Sequence, residues 1–175
     1  YRSRRRDRGA SRRDDPAVST GDVPFWHPAN LIATCGGVGR LPVAPGTWGS
    51  LAALPFAWLI AAEWGPVGLG IAALAALLAG IWAAGEIEAR GGLKDPGHIV
   101  IDEVAGQWLA LAPVAPDPIV YLVGFLAFRL FDIVKPWPAR LVERRLPGGA
   151  GVMLDDMVAG LYAGIVTYLV ARAME

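Results

Sequence analysis

Seven carboxylates hold most of the chemical interest of this 175-residue chain. Two adjacent pairs, Asp102-Glu103 and Asp155-Asp156, stand beside the single Asp132, and Glu86 and Glu88 precede them. Hard oxygen ligands of this kind suit Mg²⁺ or Mn²⁺, commonly with a substrate phosphate completing the shell. Like charges brought together need a cation or a proton to relieve their repulsion. A plainer reading is that both pairs open helices, where acidic side chains cap amides and favour the helix dipole. The pattern alone leaves both readings open. Asp132 has Arg129 three residues before it and Lys135 three after it, just ahead of Pro136. That spacing puts both cations within reach of the carboxylate at a helix end. Lys135 offers a point charge to a phosphate, or simply an ion pair.

A second group of candidates lies in the Gly-rich stretch Ala33–Ser50. Its glycines permit positive φ and close approach of backbone to a ligand. Pro45-Gly46 reads as a tight turn and Thr47 as the N-cap of the helix that follows. Amides and hydroxyls at a helix start, with Arg40 nearby, are suited to an anion. The stretch matches neither the Walker phosphate loop nor the dinucleotide fingerprint, and a mere connecting loop fits equally. His27 and His98 are isolated, and Cys35 has no His–acid partner at a recognisable spacing.

The elements that position these groups follow from where charge is missing. Hydrophobic residues make up 54% of the chain and charged ones only 18%. Such a composition excludes a disordered chain and a uniformly basic nucleic-acid binder. One cysteine excludes a disulfide framework. The formal charge is zero, but residues 1–15 carry seven arginines against three aspartates, and residues 16–175 carry nine basic against thirteen acidic side chains. Residues 1–24 are therefore expected to form a disordered Arg-rich arm, and 25–175 a single helical domain.

Leu41–Ala62 and Trp64–Gly85 each run 22 residues without a charge, followed by runs of 13, 11 and 15 at Val104–Pro116, Pro118–Phe128 and Met157–Ala171. A membrane-spanning helix needs about 20 apolar residues. The expectation is an all-α, polytopic bundle of about five membrane-embedded segments behind a Gly-rich N-terminal loop. A compact soluble bundle with buried helices is the alternative. Pro55 weakens the first segment. Gly68, Gly70, Ala72, Ala73, Ala76 and Gly80 favour close helix packing, and five tryptophans near segment ends suit the bilayer interface. With the Arg-rich arm in the cytoplasm, the chain turns at Glu63–Pro66 and again at Pro113–Pro118, and the basic clusters fall on one side. That threading also brings all seven carboxylates to the cytoplasmic end, leaving Glu63 and Asp117 at the other.

Four stretches in order carry a family resemblance. They are Ala33–Ser50 with its Ala-Pro-Gly-Thr-x-Gly-Ser core, Asp95–Gly106, Phe128–Pro138 and Gly151–Gly160. From about Leu31 to the C-terminus the chain resembles the phosphatidylglycerophosphatase A family. The resemblance implies an all-helical, Mg²⁺-dependent phosphatase of the bacterial inner membrane, multi-pass, with its site facing the cytoplasm. Its implied substrate is phosphatidylglycerophosphate, which loses its terminal phosphate to give phosphatidylglycerol. Carried over by position, the resemblance makes Asp102, Glu103, Asp132 and Asp156 catalytic and Asp102, Glu103, Asp155 and Asp156 metal ligands. Thr34, Arg40, Thr47, Ser50 and Lys135 become the phosphate-binding set. The rival readings are a small ion or metal transporter with an acidic intramembrane site, and a structural membrane module. Nucleic acid is not an expected partner.

Overall fold

The computed structural model describes residues 23–91, 97–146 and 148–175. The Arg-rich arm up to residue 22, together with Lys94 and the Asp95-Pro96 start of the second motif, lies outside the described residues. Among the described residues all regular structure is helical. A short α1 (Pro28–Ala33) starts with Pro28 at its first position, and the His27 imidazole accepts from the Ala29 amide at 3.2 Å. A 3₁₀ turn (Val38–Arg40) then leads to α2 (Pro45–Gly91).

Helix α2 breaks once, at Gly65, whose φ of 65° and ψ of −167° suit glycine. The first arm passes through Pro55, whose ring sits on the exposed side. Val100 packs on Gly49 of the first arm and Ile101 on Gly80 of the second. The beginning of one arm and the end of the other therefore meet at the same place, so the chain folds back at Gly65. This agrees with the turn expected at Glu63–Pro66.

Helices α3 (Ile101–Leu111), α4 (Pro118–Val134), α5 (Ala139–Arg145) and α6 (Gly149–Met174) complete the bundle. Asp117 caps α4 through its carboxylate, which accepts from the Ile119 and Val120 amides at 2.9 Å. Helices α3 and α6 cross at Gly106 and Gly160, where a Cβ on Gly160 would press on the Gly106 carbonyl. Glycine is also required on α6 at Gly149, against the Ile81 carbonyl of α2. The interior is built largely from small residues such as Ala53, Ala57, Ala83, Ala105 and Ala163. Leu59, Ile71, Leu78, Leu126, Ile133 and Leu169 point outward. This is the reverse of the usual distribution, in which large aliphatic residues are the buried ones.

Two helices, Pro45–Arg90 and Gly149–Met174, are long and apolar enough to cross a membrane. Helix α3, with 11 residues, rises only about 16 Å. Two expectations about helix starts are corrected. Helix α2 begins at Pro45, so Thr47 sits in the first turn and is not the N-cap. The fixed φ of proline is preorganised for that first position. Helix α6 begins at Gly149, so Asp155 and Asp156 are not in its first turn. Gly149 joins the helix because its bare surface fits closely against α2.

Candidate active site

The start of α3 is fixed from outside the helix. The Val100 amide donates to the Ala33 carbonyl at 2.8 Å, tying this segment to α1. Gly39 of the loop lies so close to the His98 carbonyl that a Cβ would overlap it. The Gly-rich loop thus acts as a brace for the segment that presents Asp102 and Glu103.

Asp102 and Glu103 enter the bundle next to Asp156 of α6. One carboxylate oxygen from each lies within 4.8 Å of the other two. Asp102 and Asp156 are buried, and a Glu103 oxygen, Oε2, is buried without a hydrogen-bond partner. Asp102 Oδ1 accepts the Glu103 amide at 3.0 Å. Burial, reinforced by the neighbouring Glu103 charge, raises the Asp102 carboxyl well above its ordinary range. Burial raises Glu103 as well, against the lowering effect of its bond to Asp102. Such a trio favours a proton or a cation among its oxygens. The orphaned Glu103 oxygen and the all-carboxylate donor set fit a small, hard divalent ion.

Two cations come from α4. Arg129 Nη1 pairs with Asp132 Oδ2 at 2.8 Å and lies 3.9 Å from Glu103 Oε1. The same nitrogen donates to the Ser50 hydroxyl at 3.4 Å, and Ser50 donates to the Gly46 carbonyl at 3.0 Å. Lys135 Nζ pairs with Asp155 Oδ2 at 2.5 Å. Lys135 closes α4 in the left-handed region, φ 46°, and Ala44 takes φ 48° directly before α2. A non-glycine residue there costs roughly 1–2 kcal/mol. Both strained residues line the same cavity.

That cavity is about 290 Å³, and Asp102, Glu103, Arg129, Asp132, Lys135, Asp155 and Asp156 all line it. Ala44, Pro45, Gly46, Gly97, Ile99 and Val152 supply the uncharged part of the wall. A Cβ on Gly46 would overlap Glu103 Oε1. Glycine is what lets the first arm of α2 lie against the carboxylate.

The structure therefore brings together six of the residues singled out from sequence: Asp102, Glu103, Asp132, Lys135, Asp155 and Asp156. The remaining four are not among the lining residues. Thr34 is fully buried, donating to the Asn30 carbonyl at 2.7 Å and accepting the Gly37 amide at 3.0 Å, which shapes the loop. The Arg40 guanidinium lies 4.7 Å over the Phe25 ring. Thr47 is half-buried in the first turn of α2, and Ser50 stands behind Arg129. Glu86 pairs with Arg90 at 2.5 Å on the surface of α2. Arg129 and Gly46 were absent from the residues expected to bind. Arg129 had a signal in its three-residue spacing from Asp132, and Gly46 had none beyond a turn-forming dipeptide.

In sequence, the chain finds its counterparts among phosphatases. Residues 31–171 match the family model described as Phosphatidylglycerophosphatase A. The Phosphatidylglycerophosphatase A of Escherichia coli K12 is 35% identical over 157 residues, covering 89% of this chain and 90% of that protein. The Haemophilus influenzae protein of the same name is 35% identical over 149 residues, 85% of this chain and 91% of its own length. A Bacteroides thetaiotaomicron protein named "Putative phosphatidylinositol-3-phosphatase" is 41% identical over 151 residues, 78% of this chain and 89% of that one. No solved structure matches the chain. The protein is an enzyme, a phosphoric monoester hydrolase. It belongs to the phosphatidylglycerophosphatase A family.

Proposed function

We propose that the enzyme removes the terminal phosphate of phosphatidylglycerophosphate, giving phosphatidylglycerol for phospholipid synthesis, with Mg²⁺ held by Asp102, Glu103 and Asp156. The observation that carries this reading is the convergence of three carboxylates from α3 and α6 in a cavity that also holds Arg129 and Lys135. When bound, Mg²⁺ polarises the phosphoryl oxygens and offsets their charge. Lys135 and Arg129 take the remaining phosphate oxygens, Arg129 through its planar guanidinium. Asp155 fixes Lys135, while Ser50 and Asp132 fix Arg129. Asp132 lines the cavity outside the trio and takes the proton of the attacking water. The water oxygen bonds to phosphorus, the bond from phosphorus to the glycerol oxygen breaks, and that oxygen leaves as an alcohol with the proton that Asp132 took from the water. Thr34 and the Gly-rich loop serve the phosphate indirectly, by holding Asp102 and Glu103 in place.

The location proposed is the bacterial inner membrane, multi-pass, with the site facing the cytoplasm. The outward-facing Leu and Ile side chains of α2, α4 and α6 support embedding, as does the Ala- and Gly-rich interior. Arg90, Lys135 and Arg140 lie towards the site end of the bundle in chain order, and Arg172 ends α6 at the other. That asymmetry supports a cytoplasmic site. A phosphate at this end of the bundle would meet a lipid headgroup at the interface.

The test is phosphate release by the purified enzyme in micelles, from phosphatidylglycerophosphate and from phosphatidylinositol 3-phosphate. Release from the first substrate is expected to stop with EDTA and return with Mg²⁺. Preference for the inositol lipid would overturn the substrate, and full activity in EDTA would overturn the metal.

A further inference from the structure

Gln107 is the sole glutamine of the chain and is fully buried, yet neither its side-chain oxygen nor its nitrogen has a hydrogen-bond partner among the described residues. It follows Glu103 by four residues, one helical turn further along the same face of α3. That face packs against α4 and α2. Glu103 meets Arg129 of α4 and Gly46 of α2, and two turns on Leu111 presses on Gly124 of α4. Gln107 thus stands between these contacts, in the wall directly behind the Glu103 carboxylate. Glu103 Oε2 is also buried and unpartnered. Two orphaned polar groups, one turn apart in a dry wall, are expected to satisfy each other when the carboxylate takes its working position.

We propose that Gln107 is a positioning residue that donates its amide N–H to Glu103 Oε2 and aims that carboxylate at the cation. The inference rests on the metal reading above. Partners behind a metal ligand typically change cation affinity 10- to 100-fold when removed. A residue that only filled space would have no such effect, because methionine would fill the same space.

The first test compares wild type with Gln107→Met, reading Mn²⁺ affinity from paramagnetic binding titration and from the cation-induced rise in melting temperature. Gln107→Met is expected to melt no lower than wild type without cation and to bind Mn²⁺ about 10- to 100-fold more weakly. In a Glu103→Gln background the same substitution is expected to change affinity no further. Equal affinity in wild type and Gln107→Met overturns the inference alone, whereas a wild-type protein that binds no cation overturns the metal reading with it. The second test uses the wild-type chain, so no variant has to fold. Selective ¹⁵N-glutamine labelling gives one side-chain amide pair, expected to shift and to resist solvent exchange when Mg²⁺ is added. An unmoved pair, with Mg²⁺ bound, overturns the inference as well.

Discussion

The two acidic pairs of the site look alike as dipeptides and are held in different ways. Asp102 and Glu103 are the second and third residues of α3, and Asp102 Oδ1 takes the Glu103 amide at 3.0 Å. Their charges face unpaired amides and the positive end of the helix dipole, a favourable setting even without a ligand. Asp155 and Asp156 stand nearly two turns inside α6, 5% and 4% exposed, where no terminal amides remain to be capped. Lys135 accounts for Asp155. Asp156 faces Asp132 as well as Asp102 and Glu103, so its place in the helix is explained by what binds there and by nothing local. Depth within the helix separates the pair that the helix terminus favours from the pair that it does not.

The largest expected effect breaks the trio. Asp156→Asn should lower phosphate release at least about 10³-fold, because several kcal/mol of charge stabilisation depends on the bound cation. Without cation its melting temperature should be no lower than wild type, since a neutral amide relieves repulsion. Asp102→Asn should lose activity similarly and melt no lower than wild type without cation, because a neutral amide relieves repulsion while its oxygen can still accept the Glu103 amide. Calorimetry alongside the assay checks both. A clear loss of stability in Asp156→Asn would show that the deeper carboxylate has a structural task after all.

Next comes the cation beside the first pair. Arg129 joins Glu103, Asp132 and Ser50 across α3, α4 and α2. Its side chain is only 16% exposed, so Arg129→Gln leaves carboxylates without their partner. Loss of about 2 kcal/mol in denaturant unfolding is expected, with a larger fall in activity than in stability. Arg129→Lys should recover part of the stability and little of the activity, because an ammonium lacks the planar fork of donors that suits a phosphate.

Two alanine substitutions separate aim from packing. In Gly46→Ala the new Cβ meets the flexible end of Glu103, which turns aside. Misplacing a ligand by an ångström can lower the rate about 10²-fold, with helix stability unchanged or improved. In Gly160→Ala the obstacle is the Gly106 backbone, so α3 and α6 must separate. That overpacking should cost about 1–3 kcal/mol and weaken cation binding by moving Asp156 away from Asp102. Matching stability and activity profiles for the two variants would erase the distinction.

Much of this arrangement is legible in the chain itself. Charge-free runs mark the helices, and Gly65-Pro66 marks the fold-back, because few residues other than glycine accept that backbone. The gathering of carboxylates at one end follows from threading alone. The start of α6 is not legible, since Gly148 and Gly149 read as loop until α2 is packed against them. The same limit applies to Thr34, Arg40, Thr47 and Ser50. Which loop side chains face the cavity depends on how Gly39 docks on His98, a contact that no local pattern encodes. Arg129 is visible only as a spacing, and Gly46 only as half of a turn.

The smallest expected effect lies in the loop that braces α3. Cys35 sits at φ 49°, in the bend between α1 and the 3₁₀ turn, and burial with the nearby Glu103 charge pushes its thiol up to about 12. At pH 8 the thiolate fraction is then only about 10⁻⁴, against a sizeable fraction for an ordinary thiol. Alkylation by iodoacetamide at that pH should run about 10³-fold slower in the folded enzyme than after unfolding, and should accelerate only as pH approaches 12. Cys35→Ser should leave phosphate release within twofold of wild type, because the side chain neither lines the cavity nor holds Asp102 or Glu103. Rapid alkylation with loss of activity would instead make the loop part of the chemistry. The division would then run between loop and bundle, and no longer between the two acidic pairs.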